Sequence, residues 1–307
     1  MTFHYNCPVR TREFRALEVL VDRMQLPGDA ARRLDALRKG FAGEVWFSDL
    51  LRSSLVSDCI VLYDLLRKEN DTLFQLDCVI ILQRKVLHLE VKNYQGDFLF
   101  DNGQFFDVPS GNEVKNPLIQ LERGQFLLKR TLGRLGYDFP VESKVVFVHP
   151  EFALYENPRQ APIILPNQIK RFIQSLNNTA SRLTKAHRKL ADDLFYGQVL
   201  EKDSNRLPAY DISMLQKGVR CLKCAGFLAL HGRLVVCKKC GDTESVRSAI
   251  VRNVVEFNVL FPDKKITTRN MWEWCDIFKW FAIKRTLEQF MYPLGMNRHR
   301  HFIFRKE

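Results

Sequence analysis

The chain has 307 residues, of which 46% are hydrophobic, 27% charged and 11% aromatic, an ordinary globular composition with no low-complexity tract or internal repeat. No apolar run reaches the roughly 20 residues that a membrane-spanning helix needs. The first twenty residues mix arginines and glutamates and lack the apolar core of a signal peptide. We therefore expect a cytoplasmic protein that does not engage a membrane, whose eight cysteines are thiols or metal ligands.

The net charge of +12 is distributed unevenly. Residues 203–307 hold 19 Lys+Arg and 10 Asp+Glu, a net +9, and residues 1–202 hold 28 and 25, a net +3. A basic C-terminal third is the electrostatic footprint of a protein that binds a phosphate backbone. It is also a common aid to solubility, so charge alone leaves both interpretations open.

Apolar periodicity predicts helices near the start of the chain and strands after them. Two short helices over 11–40 are divided at Pro27-Gly28, and a further helix runs from about 43 to 55. Strands are predicted at 59–65, 75–82 and 86–92, the last two joined as a hairpin by a short polar turn. Alternating aromatic and polar residues around Gly103 predict another hairpin over 96–109.

The second half of the chain begins with a well-marked helix. Asn116 and Pro117 suit the N-cap and first position of a helix that runs to about Arg134. Further predictions are strands at 144–148 and 163–165, helices at 167–176 and 181–201, a linker over 203–218, a cysteine-rich segment over 219–244, and helical patterns within 250–307.

Two acids and a lysine are set into the predicted hairpin of 75–82 and 86–92. Because side chains alternate along a strand, Glu90 and Lys92 point the same way. A hairpin loop with an even number of residues would pair Asp77 near Lys92 on that face, whereas an odd loop or a bulge would not. His88 shares the face of Glu90, and we interpret it as a hydrogen-bonded structural histidine rather than a ligand.

This combination suits phosphodiester hydrolysis. Two carboxylates can hold Mg²⁺, which lowers the pKa of a bound water and polarises a phosphoryl oxygen. A neighbouring lysine orients that water and stabilises developing negative charge. The same Glu-x-Lys spacing is also typical of an exposed ion pair on a strand. The strongly apolar flanks of these charges favour a strand end or a cleft.

Several motifs in one order resemble the nuclease-related domain (NERD) family of the PD-(D/E)xK nuclease superfamily. They are Gly43-Glu44, Gln75-Leu76-Asp77, Leu89-Glu90-Val91-Lys92-Asn93, Gly96, and Asn116-Pro117 with Gln120. The resemblance covers roughly residues 38–155, the length of such a domain, and the chain shows no departure at the five positions that the family uses.

The resemblance implies a role for each of these five residues. Glu44 matches the acid of the first helix that assists at the metal, Asp77 and Glu90 match the metal-binding pair, and Lys92 matches the catalytic lysine. Gln120 matches a glutamine that contacts the phosphate or the water. By themselves, Glu44 also suits a helix start and Gln120 a solvated helix surface.

Four cysteines form two Cys-x₂-Cys pairs: Cys221 with Cys224, and Cys237 with Cys240, twelve residues apart. This spacing predicts a zinc ribbon, and four cysteine ligands leave no open position, so the zinc is structural. Phe227 to Val236 reads as a hairpin with its turn at His231-Gly232, and Gly226 and Gly241 suit tight knuckles. The knuckle lysines Lys223, Lys238 and Lys239 either touch phosphates or are solvated surface.

The last part of the chain resembles a helix-turn-helix. One helix is predicted from Thr267 or Thr268 to Cys275, and a second runs from Phe278 through Phe290 and carries Lys284 and Arg285. Residues 298–304 suit a wing or terminal strand, and the second helix then suits a DNA major groove. The aromatic residues of this segment also suit the core of a small helical unit, and the two interpretations are compatible.

We therefore expect an α/β fold: a restriction-endonuclease-like mixed sheet flanked by helices, followed by a small zinc ribbon and a small helical unit. The expected domains are a helical extension (1–37), the nuclease-like domain (38–155), a helical extension packing on its core (156–202), the linker (203–218), the zinc ribbon (219–244) and the helix-turn-helix-like segment (250–307). The expected function is a DNA nuclease dependent on Mg²⁺ or Mn²⁺, acting on double-stranded or branched DNA. The alternatives are a non-catalytic DNA-binding protein and an RNA-directed version of either.

Overall fold

The structure, a computed structural model, describes residues 2–199, 206–296 and 299–305. The start of the expected linker, the end of the helix expected over 181–201, Arg298 of the expected wing and the last two residues lie outside these ranges. By internal contacts the chain divides into a first unit, Met1–Arg10 with Ala36–Lys202, and a second unit, Thr11–Asp35 with Asp203–Glu307. Within the described residues, no helix combines the length and apolar character required to cross a bilayer.

Up to residue 199 the elements follow one another as β1 (Phe3–His4), α1 (Arg12–Val21), α2 (Gly28–Ser54), β2 (Ile60–Glu69), β3 (Thr72–Ile81), β4 (Val86–Lys92), β5 (Gly96–Asp101), β6 (Gln104–Asp107), β7 (Glu113–Val114), α3 (Pro117–Arg134), β8 (Val141–Phe147), β9 (Phe152–Tyr155), β10 (Ile163–Ile164), a 3₁₀ turn (Pro166–Gln168), α4 (Ile169–Asn177) and α5 (Lys185–Tyr196). Of these, α1 and the start of α2 belong to the second unit.

A six-stranded mixed sheet in the order β1-β2-β3-β4-β8-β10 forms the centre of the first unit. Strands β2, β3 and β4 are antiparallel neighbours, and β8 and β10 continue the sheet in parallel with β4. Helices α2 and α4 cover one face of the sheet and α3 and α5 the other, so two apolar layers enclose it. The mixed sheet flanked by helices confirms the expected fold class.

Local chemistry explains how the central strands connect. Asn70 and Asp71, between β2 and β3, both have positive φ (44° and 63°), as a two-residue turn matched to the twist of a hairpin requires. Residues 82–85 connect β3 to β4, so the predicted hairpin is confirmed, with a connection one residue longer than the predicted turn over 83–85. Helix α3 begins where the sequence placed it, with the side chain of Asn116 accepting the amide N–H of Leu118 and Pro117 at the first position.

Helix α2 differs from the prediction. The break at Pro27-Gly28 is confirmed, but the helix then continues without interruption from Gly28 to Ser54 rather than ending near residue 40 and restarting. A glycine inside a helix costs only about 1 kcal/mol, which packing along the remaining length can offset. Two edge strands were not predicted: β1 of the six-stranded sheet, and β9 of a second sheet in the order β7-β6-β5-β9. Segments of two and four residues carry too little alternation to be recognised.

In the second unit, α1 packs with β11 (Leu228–His231), β12 (Leu234–Cys237), β13 (Thr243–Ser245), α6 (Val246–Leu260), α7 (Thr268–Cys275), α8 (Trp280–Phe290), β14 (Met291–Leu294) and β15 (His301–Phe304). One apolar core joins them, with Phe257, Trp274, Ile283 and Phe302 among its buried members. The hairpin β11–β12 and the helices α7 and α8 were predicted, whereas α6 and the pairing of β14 with β15 were not.

Candidate active site and cysteine cluster

Lys92 occupies the centre of a polar group at the end of β4. Its Nζ donates hydrogen bonds to Glu90 Oε1 at 2.8 Å and to Gln120 Oε1 at 3.0 Å. The Glu90 side chain is almost completely buried, with 1% of its surface exposed, and the Lys92 side chain is 17% exposed. The ion pair is therefore not the exposed surface pair that the spacing alone allowed.

Asp77 faces Glu90 rather than Lys92 across the strand pair. The ladder between β3 and β4 ends at Cys78 opposite Leu89, and Asp77 and Glu90 are the next residues on the two strands. Asp77 Oδ2 accepts the amide N–H of Val91 at 2.9 Å, and the charge of Asp77 acts to raise the pKa of Glu90. The even loop of residues 82–85 thus brings both acids together, with Asp77 opposite a residue two positions earlier on β4 than the prediction.

Glu44 reaches the same group from α2 because the preceding residue is a glycine. A Cβ at Gly43 would lie 2.6 Å from Asn93 Cβ and 3.1 Å from Val148 Cγ2, so a side chain there would push the helix away from β4. The Asn93 side chain also donates a hydrogen bond to the backbone oxygen of Lys39 at 2.8 Å. In the Gly43-Glu44 motif, the glycine therefore allows α2 to lie close to the end of β4, and the glutamate is the acid that α2 places beside the site.

Gln120 is delivered from the opposite face of the sheet, by α3. One turn further along that helix, a Cβ at Gly124 would lie 2.7 Å from His88 Cε1, so the glycine lets α3 rest directly on the imidazole ring. His88 is fully buried, and its Nδ1 shares a hydrogen bond with Ser143 Oγ at 3.3 Å, which agrees with the structural role expected for it. Its Nε2 lies 3.9 Å from Glu90 Oε2.

Burial and mutual repulsion govern the ionisation of the acids. Burial, followed by the charge of Asp77, raises the pKa of Glu90 to about 7, and burial with the charges of Asp77 and Asp64 raises the pKa of Glu44 to about 8. Burial also raises the pKa of Asp77. For Lys92 burial acts to lower the pKa, but Glu90 and Asp77 outweigh it and the net shift is upward. Lys92 is therefore an ammonium at neutral pH.

Asp64 is an acid of this group that sequence reasoning missed. It lies in β2 between the paired residues Tyr63 and Leu65, next to Asp77 on β3, and burial together with Asp77 raises its pKa to about 6. Its φ is +49°, a left-handed conformation inside a strand. The signal that marked Asp77, a charge inside an apolar strand, was present at Asp64 as well.

The strands change face at the position of these two acids. Leu62 and Leu65 on β2 belong to one core, although alternation would put residues three apart on opposite faces. Leu76 and Val79 on β3 behave in the same way. A local distortion of this kind in both strands is what re-aims side chains next to functional sites.

Tyr94 and Lys115 also contribute to the electrostatics of the site. The pKa of Tyr94 is raised by burial and by the charge of Glu90, despite the opposing effect of Lys92. The charge of Lys115 acts to lower the pKa of Glu90. Tyr94 was identifiable in principle, because it follows Lys92 by two residues, but the position of Lys115 depends on how the chain folds back before α3.

The donor set of Asp77 and Glu90 fits a hard divalent cation. Mg²⁺ binds proteins through one or two carboxylates and retains several waters. In the described ranges, the acids of this site do not form a group of three whose ligand atoms lie within 4.8 Å of one another. Asp77 and Glu90, with solvent completing the coordination, are therefore the carboxylates available to Mg²⁺ or Mn²⁺.

The four cysteines of the second unit form one compact cluster. All four Sγ atoms lie within 4.8 Å of one another, with Cys221 to Cys240 at 3.6 Å and Cys224 to Cys237 at 3.4 Å. These separations are too long for disulfides and close to the roughly 3.8 Å edge of a tetrahedral Zn–S₄ site. The cluster is compatible with a zinc ribbon.

The two knuckles use different residues for their tight turns. Gly241 has a positive φ of 73°, as the sequence suggested, but in the first knuckle the left-handed residue is Ala225, at 52°. A Cβ at Gly226 would lie 3.4 Å from the sulfurs of Cys224 and Cys237, which is an ordinary van der Waals distance. The remaining cysteines, Cys7, Cys59, Cys78 and Cys275, are free thiols outside the cluster.

A family model described as the nuclease-related domain matches residues 39–148. No curated relative and no solved structure matches the chain. The matched residues contain β2, β3, β4 and α3 together with Glu44, Asp77, Glu90, Lys92 and Gln120. The first unit thus contains a segment similar to the nuclease-related domain, and this similarity suggests a nuclease-like function.

Proposed function

We propose that the first unit hydrolyses phosphodiester bonds in DNA with the help of Mg²⁺ or Mn²⁺, and that the second unit binds DNA. The observation that carries the catalytic part is the arrangement around Lys92, whose ammonium group joins a buried carboxylate of the sheet to Gln120 of α3. Asp77 lies directly beside that carboxylate. Two acids and an amine converge at one strand end inside a nuclease-related domain.

Asp77 and Glu90 would hold the cation, which supplies positive charge to the scissile phosphate and lowers the pKa of a coordinated water. Glu44, on the neighbouring helix, would orient solvent beside these two carboxylates. The deep burial of Glu90 keeps bulk water away from its carboxylate and strengthens the electrostatic interactions that this carboxylate makes.

Lys92 acts as a donor rather than as a base in this proposal, because its raised pKa keeps it protonated. An ammonium group has three N–H bonds, and two are used by Glu90 and Gln120. The third remains for a non-bridging phosphate oxygen, whose charge grows in the transition state. Gln120 fixes the direction of that third bond.

The second unit would target the nuclease to DNA. Helices α7 and α8 follow one another through a short turn and are succeeded by the hairpin β14–β15, the order expected of a helix-turn-helix with a wing. Residues 203–307 hold most of the net positive charge. The cysteine cluster would bind Zn²⁺ in a structural role.

The catalytic proposal is tested by plasmid cleavage with and without Mg²⁺, using Glu90→Gln and Lys92→Met. Both variants keep the size of the side chain, and we expect each to lower the cleavage rate at least about a hundredfold. The matched controls are Glu142→Gln and Lys85→Met, since Lys85 and Glu142 form a partly exposed ion pair of 2.7 Å that does not include any residue of the proposed active site. The controls should cut like the unmodified protein.

Unchanged cutting by Glu90→Gln and Lys92→Met would refute the assignment of this site. If the unmodified protein bound DNA in a salt-sensitive manner and cut nothing under any divalent cation, the non-catalytic DNA-binding alternative would be correct. Preference for RNA over DNA in the same assay would establish the RNA-directed version.

A further inference from the structure

A groove of about 640 Å³ in the second unit is lined by basic residues from three separate segments. Arg233 comes from the turn of the hairpin β11–β12, Arg247 from the first turn of α6, and Arg285 from α8. All three arginines are exposed to solvent. None of the described residues that line the groove is acidic.

The acids closest in sequence to the lining residues of the groove form hydrogen bonds and ion pairs with other residues. Glu244, which precedes the start of α6, accepts hydrogen bonds from Arg252 at 2.8 Å and from Ser248 at 2.8 Å. Glu288, one turn after Arg285, pairs with Arg300 at 3.2 Å. In the part of the chain that the structure describes, Arg233, Arg247 and Arg285 form no ion pair, although Arg252, Arg269 and Arg300 each do. Three like charges thus converge without an internal counter-charge.

The remaining lining groups add donors rather than negative charge. Helix α6 begins at the groove, with Ser245 as its N-cap, so the aligned dipoles of this 15-residue helix add partial positive charge there. On α8, Ala282, Arg285, Thr286 and Gln289 follow the three- and four-residue spacing of a single helix face, and that face lines the groove. Gln289 is exposed and offers an amide beside the guanidinium of Arg285.

We propose that this groove binds the phosphodiester backbone of a nucleic acid, with Arg233, Arg247 and Arg285 contacting successive phosphates. The inference rests on the proposed DNA-directed function and specifies which surface of the second unit makes the contact. A guanidinium presents a planar pair of donors that matches a phosphate, and release of counterions from the backbone drives such binding. The face of α8 that carries Arg285 and Gln289 would contact the nucleic acid. The turn of the hairpin β11–β12, which carries Arg233, would contact the same nucleic-acid strand.

The test measures binding of the full-length, zinc-loaded protein to a short fluorescent DNA duplex by anisotropy, without Mg²⁺, over a series of salt concentrations. The variant combines Arg233→Gln, Arg247→Gln and Arg285→Gln. We expect affinity to fall at least about tenfold at physiological salt, and the slope of log K against log salt to shrink by up to about 2.7, because each phosphate contact contributes about 0.9. Arg269→Gln is the matched control, since Arg269 is exposed on α7 and pairs with Glu273 at 3.0 Å.

The outcomes separate this inference from the nuclease proposal. Zinc content and the unfolding midpoint of the triple variant first establish that it folds. If a folded triple variant kept the affinity and the salt slope of the unmodified protein, the groove would not be the binding site. This conclusion would hold whatever the effect of Glu90→Gln on cleavage. Competition by polyglutamate as effective as that by DNA of equal charge would also overturn it, since the groove would then be a general polyanion site. A weakened triple variant that still cuts at saturating DNA would support the groove and leave the active site in place.

Discussion

The backbone of Gly124 lies directly against the imidazole of His88, so that a Cβ on this glycine would be 2.7 Å from Cε1. His88 cannot retreat, because it is fully buried and its Nδ1 shares a hydrogen bond with Ser143. The contact sets the distance between α3 and β4. It therefore determines whether Gln120, one turn earlier on α3, reaches Lys92.

We expect Gly124→Ala to lower the free energy of unfolding by about 1–3 kcal/mol, as overpacking of a close contact does, and to reduce Mg²⁺-dependent cleavage. Gly133→Ala on the same helix is the control, because a Cβ there would have no neighbour within 4 Å apart from the adjoining residues and the backbone of its own helix. The control should be neutral or stabilise the helix by up to about 1 kcal/mol. Urea unfolding measures both, and equal effects of the two substitutions would contradict the proposed contact.

A second glycine pair tests the approach of α2 to the site. A Cβ at Gly43 would lie 2.6 Å from Asn93 Cβ, whereas a Cβ at Gly40 would have no neighbour within 4 Å apart from the adjoining residues and the backbone of the same helix. We expect Gly43→Ala to displace Glu44 from the acids of the sheet, raising the Mg²⁺ concentration needed for half-maximal cleavage by about tenfold or more. Gly40→Ala should leave that concentration unchanged. An unaltered Mg²⁺ requirement in Gly43→Ala would show that Glu44 is not placed by this contact.

Because the pKa of Glu44 is raised in the folded protein, we expect the free energy of unfolding to fall as the pH rises when no divalent cation is added. Burial and the charge of Asp77 raise the pKa of Glu44 from 4.5 to about 8, so the folded chain keeps a proton that the unfolded chain releases. The folded state binds more protons across this window, and stability therefore declines as the pH rises from about 5 to about 8. Glu44→Gln removes this contribution, and its melting temperature should fall less over the same range.

Differential scanning fluorimetry at a series of pH values measures the effect, with Glu142→Gln as a control at an exposed acid. Added Mg²⁺ should restore the melting temperature most strongly at the alkaline end, where the carboxylates are ionised. Identical pH profiles for the unmodified protein and Glu44→Gln would count against the raised pKa.

From the cysteine cluster we expect the purified protein to contain about one zinc ion per chain. Cys237→Ser should lose the metal and lower the unfolding temperature, because the buried Cys237 belongs to the core of the second unit as well as to the cluster. Cys7→Ser is the matched control, since Cys7 is an exposed free thiol outside the cluster. Elemental analysis of the purified proteins gives the answer, and full zinc occupancy in Cys237→Ser would exclude this cluster as the site.

Much of the framework could be predicted because its signals are local. The start of α3 at Asn116-Pro117, the strand Val86–Lys92 and the two Cys-x₂-Cys knuckles each depend on residues a few positions apart. The direction shared by Glu90 and Lys92 also followed from strand alternation alone. Each of these features lies within a single short stretch of the chain, so periodicity, capping and ligand spacing were sufficient to find them.

The assembly of the site needed the tertiary structure. Whether Asp77 meets Glu90 or Lys92 depends on the register of a hairpin, and alternation failed at Asp64, where a left-handed residue changes the face of the strand. The continuous α2 was decided by packing that outweighs the weak helix propensity of its glycines. The sequence by itself thus determined which side chains were available for chemistry. Which charges converge was decided only by long-range contacts. Bringing distant segments together costs conformational entropy, and this cost is offset by burial over the whole fold, which no single segment encodes.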